Sequence, residues 1–316
     1  MSLSPSSADA RLRTERLAIL ALFIGAVTIA FAPILVRLSE VGPSATGFHR
    51  FLLAIPLYWA IAATLPRPGT ADGAVTDGAA AEGSERPKTV KDFVLIAMAG
   101  VYLAADVAVW HYSIQMTTVA NSTLLANVAP VFVVLGGWLL FRTRVTGTYL
   151  IGLAAAMTGV FILSRASLSL SQDHFIGDLL GVLTAVFYAA YQMSVERLRK
   201  RFSTVTIMKY AIPASALVML PIALASGEDL LPVTLAGWGF LIALAAGPQV
   251  FGQGLIAWAL AHLPVAFASV SLLVQPVTAA LVAWALFGEH IGLQQGIGAV
   301  IVLAGIMLAR RGSIRR

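Results

Sequence analysis

The 316-residue chain contains no cysteine, which excludes disulfides and thiolate metal sites and leaves the redox compartment unread. It is also poor in charge. Asp, Glu, Lys and Arg make up 11% of its residues, against roughly 25% in soluble domains. Enzyme signatures are missing too: there is no His-Glu-x-x-His zinc motif, no Gly-x-Ser-x-Gly nucleophile elbow and no Gly-x-x-x-x-Gly-Lys phosphate loop. An enzyme is therefore not expected, nor a bound cofactor, nor direct drive by a nucleotide. No ring of repeated acidic residues and no carbonyl filter loop occurs, which disfavours a channel.

What fills the chain instead is apolar: 59% of its residues are hydrophobic. About 20 apolar residues span a bilayer, and ten segments qualify. They run over Leu17–Leu38, Ser44–Leu65, Phe93–Tyr112, Thr118–Phe141, Gly147–Leu163, Ile176–Val195, Val205–Ala225, Leu235–Ala259, Val265–Phe287 and Gly292–Ala309. The expectation is an all-α integral membrane protein of ten transmembrane helices with no soluble catalytic domain. Residues 1–16 form a polar tail carrying Arg11, Arg13 and Arg16. The 22-residue apolar run behind it is too long for a signal-peptide core and is read as a retained first span. The loop Pro66–Lys91, rich in Gly, Ala, Asp, Glu and Pro, reads as a flexible tether.

The net charge of +6 invites a nucleic-acid partner, but its placement argues for a membrane. With the amino terminus in the cytoplasm, 17 of the 21 Lys and Arg fall in cytoplasmic tails and loops. Arg37, Arg50, Arg165 and Lys209 are the others. Positive charge resists translocation, so the expectation is a multi-pass protein of the cell (inner) membrane with both termini in the cytoplasm, surrounded by membrane lipid and with no nucleic-acid partner.

The chain also repeats itself. Thr117–Arg165 returns without a gap as Leu263–Arg311 at an offset of 146, with 13 identities that include Pro130/Pro276, Trp138/Trp284, Phe141/Phe287, Gly152/Gly298 and Gly159/Gly305. A fainter echo links Gly25, Thr28 and Phe31 to Gly181, Thr184 and Phe187. Internal repeats set the architecture. The expected halves are residues 17–165 and 176–311, joined by a linker over 166–175 and followed by a tail over 312–316. Each half holds five spans, an odd number, so the second enters the membrane from the opposite face. Such inverted repeats around a central cavity are a hallmark of secondary transporters.

Pro33, Pro56, Pro130, Pro213, Pro221, Pro248 and Pro276 lie inside apolar segments, where each removes a backbone donor and frees a carbonyl one turn back. Pro33, Pro130, Pro248 and Pro276 are the candidate hinges. Spans five and ten carry small residues at matching places (Gly152, Ala156, Gly159; Gly298, Gly305) and are assigned to peripheral packing or dimer contact. A monomer and a homodimer both stay open.

Buried polar groups mark the candidate site, because a charge at mid-membrane costs about 2.5–3.5 kcal/mol on insertion scales. Asp106 is the clearest case. At helical spacing it shares a stripe with Tyr102, Trp110 and Ser113, with His111 close by. A carboxylate beside aromatic rings suits a substrate ammonium or proton exchange; a structural ion pair or interhelical hydrogen bond is the alternative. Span six offers Thr184, Tyr188, Tyr191 and Gln192, where core packing is the alternative. Span four adds Thr123 and Asn127, span eight Gln249 and Gln253, and span nine Ser271, Gln275 and Thr278. These polar positions do not repeat between halves: Asp106 aligns with Gly252, Asn127 with Leu273 and Gln275 with Ala129. The scaffold is duplicated and the site is not. His49, Arg50 and Lys209 lie near span ends. Snorkelling to the interface is favoured for Arg50 and Lys209, with carboxylate binding as the other reading.

The chain resembles the drug/metabolite transporter superfamily, in its ten-helix branch with two EamA-type repeats. The resemblance rests on His49-Arg50-Phe51-Leu52-Leu53-Ala54, on the Pro130 and Pro276 segments with Gly152 and Gly298 downstream, and on Phe287-Gly288-Glu289. Phe141-Arg142-Thr143 departs from the last pattern. Length and aromatic-rich third and sixth spans look like the YddG-type exporters of aromatic amino acids. The resemblance implies export of amino acids or related metabolites from a cavity among spans one to four and six to nine. The alternatives are a broad drug exporter of the same fold and a non-transport scaffold or receptor. Proton coupling and direction stay open.

Overall fold

The computed structural model describes residues 7–64, 85–117, 119–164, 175–287 and 292–313. Most of the tether, the 166–174 linker segment and Gly288-Glu289 lie outside them. The described residues form helices and no strand. In chain order these are α1 (Ser7–Ile29), α2 (Ala32–Arg37), α3 (Pro43–Leu52), α4 (Ala54–Thr64), α5 (Val90–Met116), α6 (Val119–Ala126), α7 (Ala129–Phe141) and α8 (Gly147–Ser164). Then follow α9 (Phe175–Leu198), α10 (Thr204–Ala225), α11 (Leu235–Leu244), a π-helical stretch (Ala245–Gly252), α12 (Gln253–Ala259), α13 (Val265–Ser271), α14 (Val274–Phe287) and α15 (Leu293–Ser313).

Nine helical runs among the described residues are long and apolar enough to cross a membrane. The expected second span, Ser44–Leu65, arrives as the two shorter helices α3 and α4. The first helix starts at Ser7, ten residues before the apolar run, so the described part of the polar tail is helical.

Proline explains where helices stop. Its ring clashes with the carbonyl four residues back and its nitrogen cannot donate to it. Accordingly α1 ends at Ile29, four before Pro33; α3 at Leu52, four before Pro56; α6 at Ala126, four before Pro130; and α11 at Leu244, four before Pro248. Before Pro276, α13 ends at Ser271. The stretch after Leu244 continues as a π-helix, whose longer hydrogen-bond step tolerates the missing donor. Pro213 and Pro221 lie inside an unbroken α10. All four candidate hinge prolines therefore sit at interruptions of the helical ladder.

Packing is reciprocal between the halves. Helix α5 lies against α9 and α10, while the π-stretch and α12 lie against α1, and the π-stretch also meets α3 and α4. Helices α6 and α7 pack on α9 as α14 packs on α1. Helix α10 packs on α3 and α4. Small residues allow this closeness: a Cβ on Gly25 would lie 2.7 Å from the Gly252 carbonyl oxygen.

The most extensive contact joins α8 to α15. A Cβ on Gly159 would sit 2.6 Å from the Val302 nitrogen, and one on Gly298 2.7 Å from the Leu163 nitrogen. Dispersion between closely approached backbones drives such contacts where lipid offers no hydrophobic drive. These glycines join α8 to α15 within one chain, the packing role that the sequence offered beside dimer contact. Outward-facing Trp138, Leu139, Leu140 and Trp284 are exposed, as a lipid-facing surface requires.

Candidate functional site

A cavity of about 170 Å³ lies between the two parts of the chain. The helix interruptions form much of its wall: Ile29, Ala30, Ala32 and Pro33 from the α1–α2 break, Ala126 and Asn127 from the α6–α7 break, and Gln275 and Pro276 from the start of α14. Irregular backbone at membrane depth is tolerated where it lines a cavity rather than lipid. Of the candidate hinge prolines, Pro33 and Pro276 line the cavity themselves.

Polar and aromatic side chains complete the lining. Helix α5 contributes Asp106 and Trp110, α9 Thr184 and Tyr188, α6 Thr123, α12 Gln253 and α3 Arg50. The Asn127 side-chain amide donates to the Thr123 carbonyl over 2.8 Å. Arg50 and Asp106 both border this space, yet neither enters an ion pair within 4.0 Å among the described residues, where the ion pairs are those of Arg201 with Glu85 and Asp92.

Arg50 does not snorkel. It is 9% exposed, and its Nε donates to Gln249 Oε1 over 2.7 Å. The side chain turns inward because a buried acceptor waits on the π-helical stretch, 199 residues along the chain. That stretch is held in turn by Tyr58, whose hydroxyl lies 3.1 Å from the Gln249 carbonyl oxygen and 3.2 Å from that of Val250. Tyr58 was not singled out in the sequence. A tyrosine well inside an apolar segment was the available signal, the same one that marked Tyr188.

Several candidates sit behind the cavity wall. Tyr191 is buried and stacks on Tyr188 with ring centres 6.0 Å apart. Gln192, Gln249 and His111 are buried without lining the cavity, and Tyr102 packs on the core as a half-buried ring. His49 bonds the Ala45 carbonyl through Nδ1 at 2.9 Å and meets Trp238 edge-on at 5.7 Å, which gives its ring a packing role. Lys209 lies 5.0 Å over the Trp59 ring, away from the cavity. Pro130 and Pro248 are not among the lining residues.

Several buried polar atoms on and behind the cavity wall lack partners among the described residues. They include Tyr191 Oη, both amide atoms of Gln192, Gln249 Nε2, Gln253 Oε1 and Gln275 Nε2. Leaving such an atom unsatisfied costs about 1–3 kcal/mol.

Two polar joints flank the membrane region. Glu40, in the turn between α2 and α3, accepts from the Val233 and Thr234 amides at 3.0 Å each and from the Thr234 hydroxyl, at the start of α11. Those donors hold its carboxyl below the usual carboxylate range, the Thr234 side chain first. Glu228 accepts from the Ala45 amide at 2.9 Å. At the start of α5, Arg201 bonds Asp92 at 2.9 Å and Glu85 at 3.0 Å. Both carboxylates hold the guanidinium above its ordinary value, Asp92 first.

The sequence signature described as the EamA-like transporter family matches residues 16–165 and again residues 175–311. A protein of Archaeoglobus fulgidus known as an uncharacterized transporter is 27% identical over 94% of this chain and 96% of its own. The pseudopaline exporter CntI of Pseudomonas aeruginosa is 27% identical over 68% of this chain and 75% of its own. A probable terminal-alkyne amino-acid exporter of Streptantibioticus cattleyicolor is 25% identical over 86% of this chain and 91% of its own. One solved crystal structure superposes with a TM-score of 0.75 over 93% of this chain and 98% of its own, at 15% identity, a likeness of fold alone.

Proposed function

Because the chain belongs to the EamA-like transporter family, we propose that it is a secondary exporter of amino acids, aromatic and other neutral ones first, or of closely related metabolites. It is a multi-pass membrane transporter with exporter relatives rather than an enzyme. The observation that carries the finer reading is the cavity, which gathers Asp106, Trp110, Asn127, Tyr188, Gln253 and Gln275. Asp106 meets an ammonium group or a proton, the Trp110 and Tyr188 rings meet an apolar side chain, and the amides orient the polar end.

Size favours a small metabolite. Pockets for drug-sized ligands run to about 300–1,000 Å³, whereas this cavity is about 170 Å³. That weighs against the broad drug exporter. A relative named for an amino-acid substrate points the same way.

Alternating access follows from two inverted halves of five spans each, with Pro33, Pro130, Pro248 and Pro276 as hinges and both termini in the cytoplasm of the inner membrane. The duplicate family match and the reciprocal packing of α5 on α9 and α12 on α1 support that arrangement. Tyr102, His111, Tyr191, Gln192 and Gln249 form the layer behind the cavity wall, and His49 and Lys209 stand outside the binding path.

Counterflow of the twenty amino acids into proteoliposomes tests the reading. Uptake of at least one neutral amino acid is expected, and Asp106→Asn is expected to cut it at least tenfold or to remove its pH dependence. Normal exchange by that variant at every pH would take Asp106 out of the mechanism.

A further inference from the structure

We propose that Arg50 receives an anionic group of the solute, so that the cavity selects molecules carrying a carboxylate as well as a positive charge, and that Gln249 is the residue that positions it. The inference rests on the transporter reading above and narrows its substrate class.

A guanidinium has five N–H donors in a planar fork. One of them, on Nε, is taken by Gln249 Oε1 at 2.7 Å. No other hydrogen bond joins Arg50 to a described residue, no carboxylate of a described residue lies within 4.0 Å, and the side chain borders the cavity. Arg201 makes the contrast. At the protein's edge, where water would serve it, it is paired with two carboxylates; Arg50, buried where an unmatched charge is costly, has none among the described residues. The unused side of its fork suits a carboxylate, which guanidinium binds through two parallel hydrogen bonds.

Gln249 fixes which side of the fork is left. Its side chain is fully buried, its Oε1 faces Arg50, and its own backbone carbonyl is a partner of the Tyr58 hydroxyl. Occupying Nε turns the two Nη groups toward the solute. Asp106 stands on the same cavity as the opposite pole. A space holding both signs without joining them directly matches a zwitterion, and it matches neither a simple amine nor a cationic drug.

The test compares three probes in proteoliposome counterflow: whichever of the twenty amino acids exchanges fastest, its carboxamide and its decarboxylated amine. Wild type should exchange the free acid at least tenfold faster than either analogue. Arg50→Gln, shown folded by a monodisperse gel-filtration profile, should lose at least tenfold on the acid and close the gap, with Arg50→Lys intermediate. Gln249→Ala should raise KM for the acid several-fold, keep its maximal rate within about twofold, and leave KM for the carboxamide unchanged. A general loss of structure would move both substrates and both parameters. Equal exchange of acid and analogue by wild type overturns the inference alone and needs no variant. A folded Arg50→Gln that keeps the gap overturns it too. Exchange of none of the twenty amino acids by wild type overturns the transporter reading, and this inference with it.

Discussion

Arg142 adopts a left-handed backbone, φ 52°, at the end of α7, where its amide reaches the Trp138 carbonyl and the next amide reaches Gly137. Glycine ends helices this way without the steric penalty of a Cβ, about 1 kcal/mol or more. The aligned position of the second repeat is Gly288, so the departure at Phe141-Arg142-Thr143 has a physical meaning: the first repeat carries a side chain where the turn favours none. Arg142→Gly is expected to stabilise the folded protein by about 0.5–1 kcal/mol, measured as a higher Tm in detergent; a lower Tm would show that the Arg142 side chain makes a contact worth more than the strain. Asp106, Trp110, Asn127, Tyr188, Gln253 and Gln275 were legible as cavity residues because polar and aromatic groups deep in apolar segments have few other places to be. Arg50 was not. A long basic side chain near a span end satisfies itself equally by reaching water or by turning inward, and the acceptor that decides lies in a segment of the other repeat.

At the scale of elements, proline spacing could be read directly once each ring was counted back four residues, but α10 shows the limit: Pro213 and Pro221 leave that helix whole. Its neighbours on both sides hold it, with the Ser215 hydroxyl donating to the Gly100 carbonyl at 2.8 Å. The α8–α15 pair depends on bare backbone contact. Gly159→Leu would drive a side chain into the Val302 backbone and should cost about 1–3 kcal/mol, seen as a lower Tm, whereas the same change at Gly147, which faces open space, should be near neutral. Equal effects at the two sites would contradict tight packing of this pair. The Glu40 joint gives a pH signature. Its carboxyl sits below the ordinary value of 4.5 in the folded protein, so its stabilising contribution is complete above that value and is lost as pH falls through the lowered one. Glu40→Gln should therefore lower Tm near neutral pH, and the gap to wild type should shrink in acid; a gap independent of pH would mean the charge is not what holds the joint.

For the whole molecule, the repeat predicts more than resemblance between halves. The turn after the first span of one half holds the start of the third span of the other: Glu40 on Val233 and Thr234, and Arg201 on Asp92. Five crossings separate the start of α5 from the start of α11 in the proposed arrangement, so these equivalent joints lie on opposite membrane faces. One is a carboxylate on backbone amides and the other a guanidinium on a carboxylate, which lets the two faces respond separately to pH and salt. If the halves rock, neither joint can stay closed through a full cycle. The chain has no cysteine, so paired replacements are clean: Glu40→Cys with Thr234→Cys for one face, Glu85→Cys with Arg201→Cys for the other. Thiol cross-linking of either pair is expected to stop counterflow by at least tenfold and reduction to restore it, while each single replacement transports within about threefold of wild type. A cross-linked joint that still transports would mean access alternates by motion within one half, around the proline breaks, and not by movement of the halves against each other.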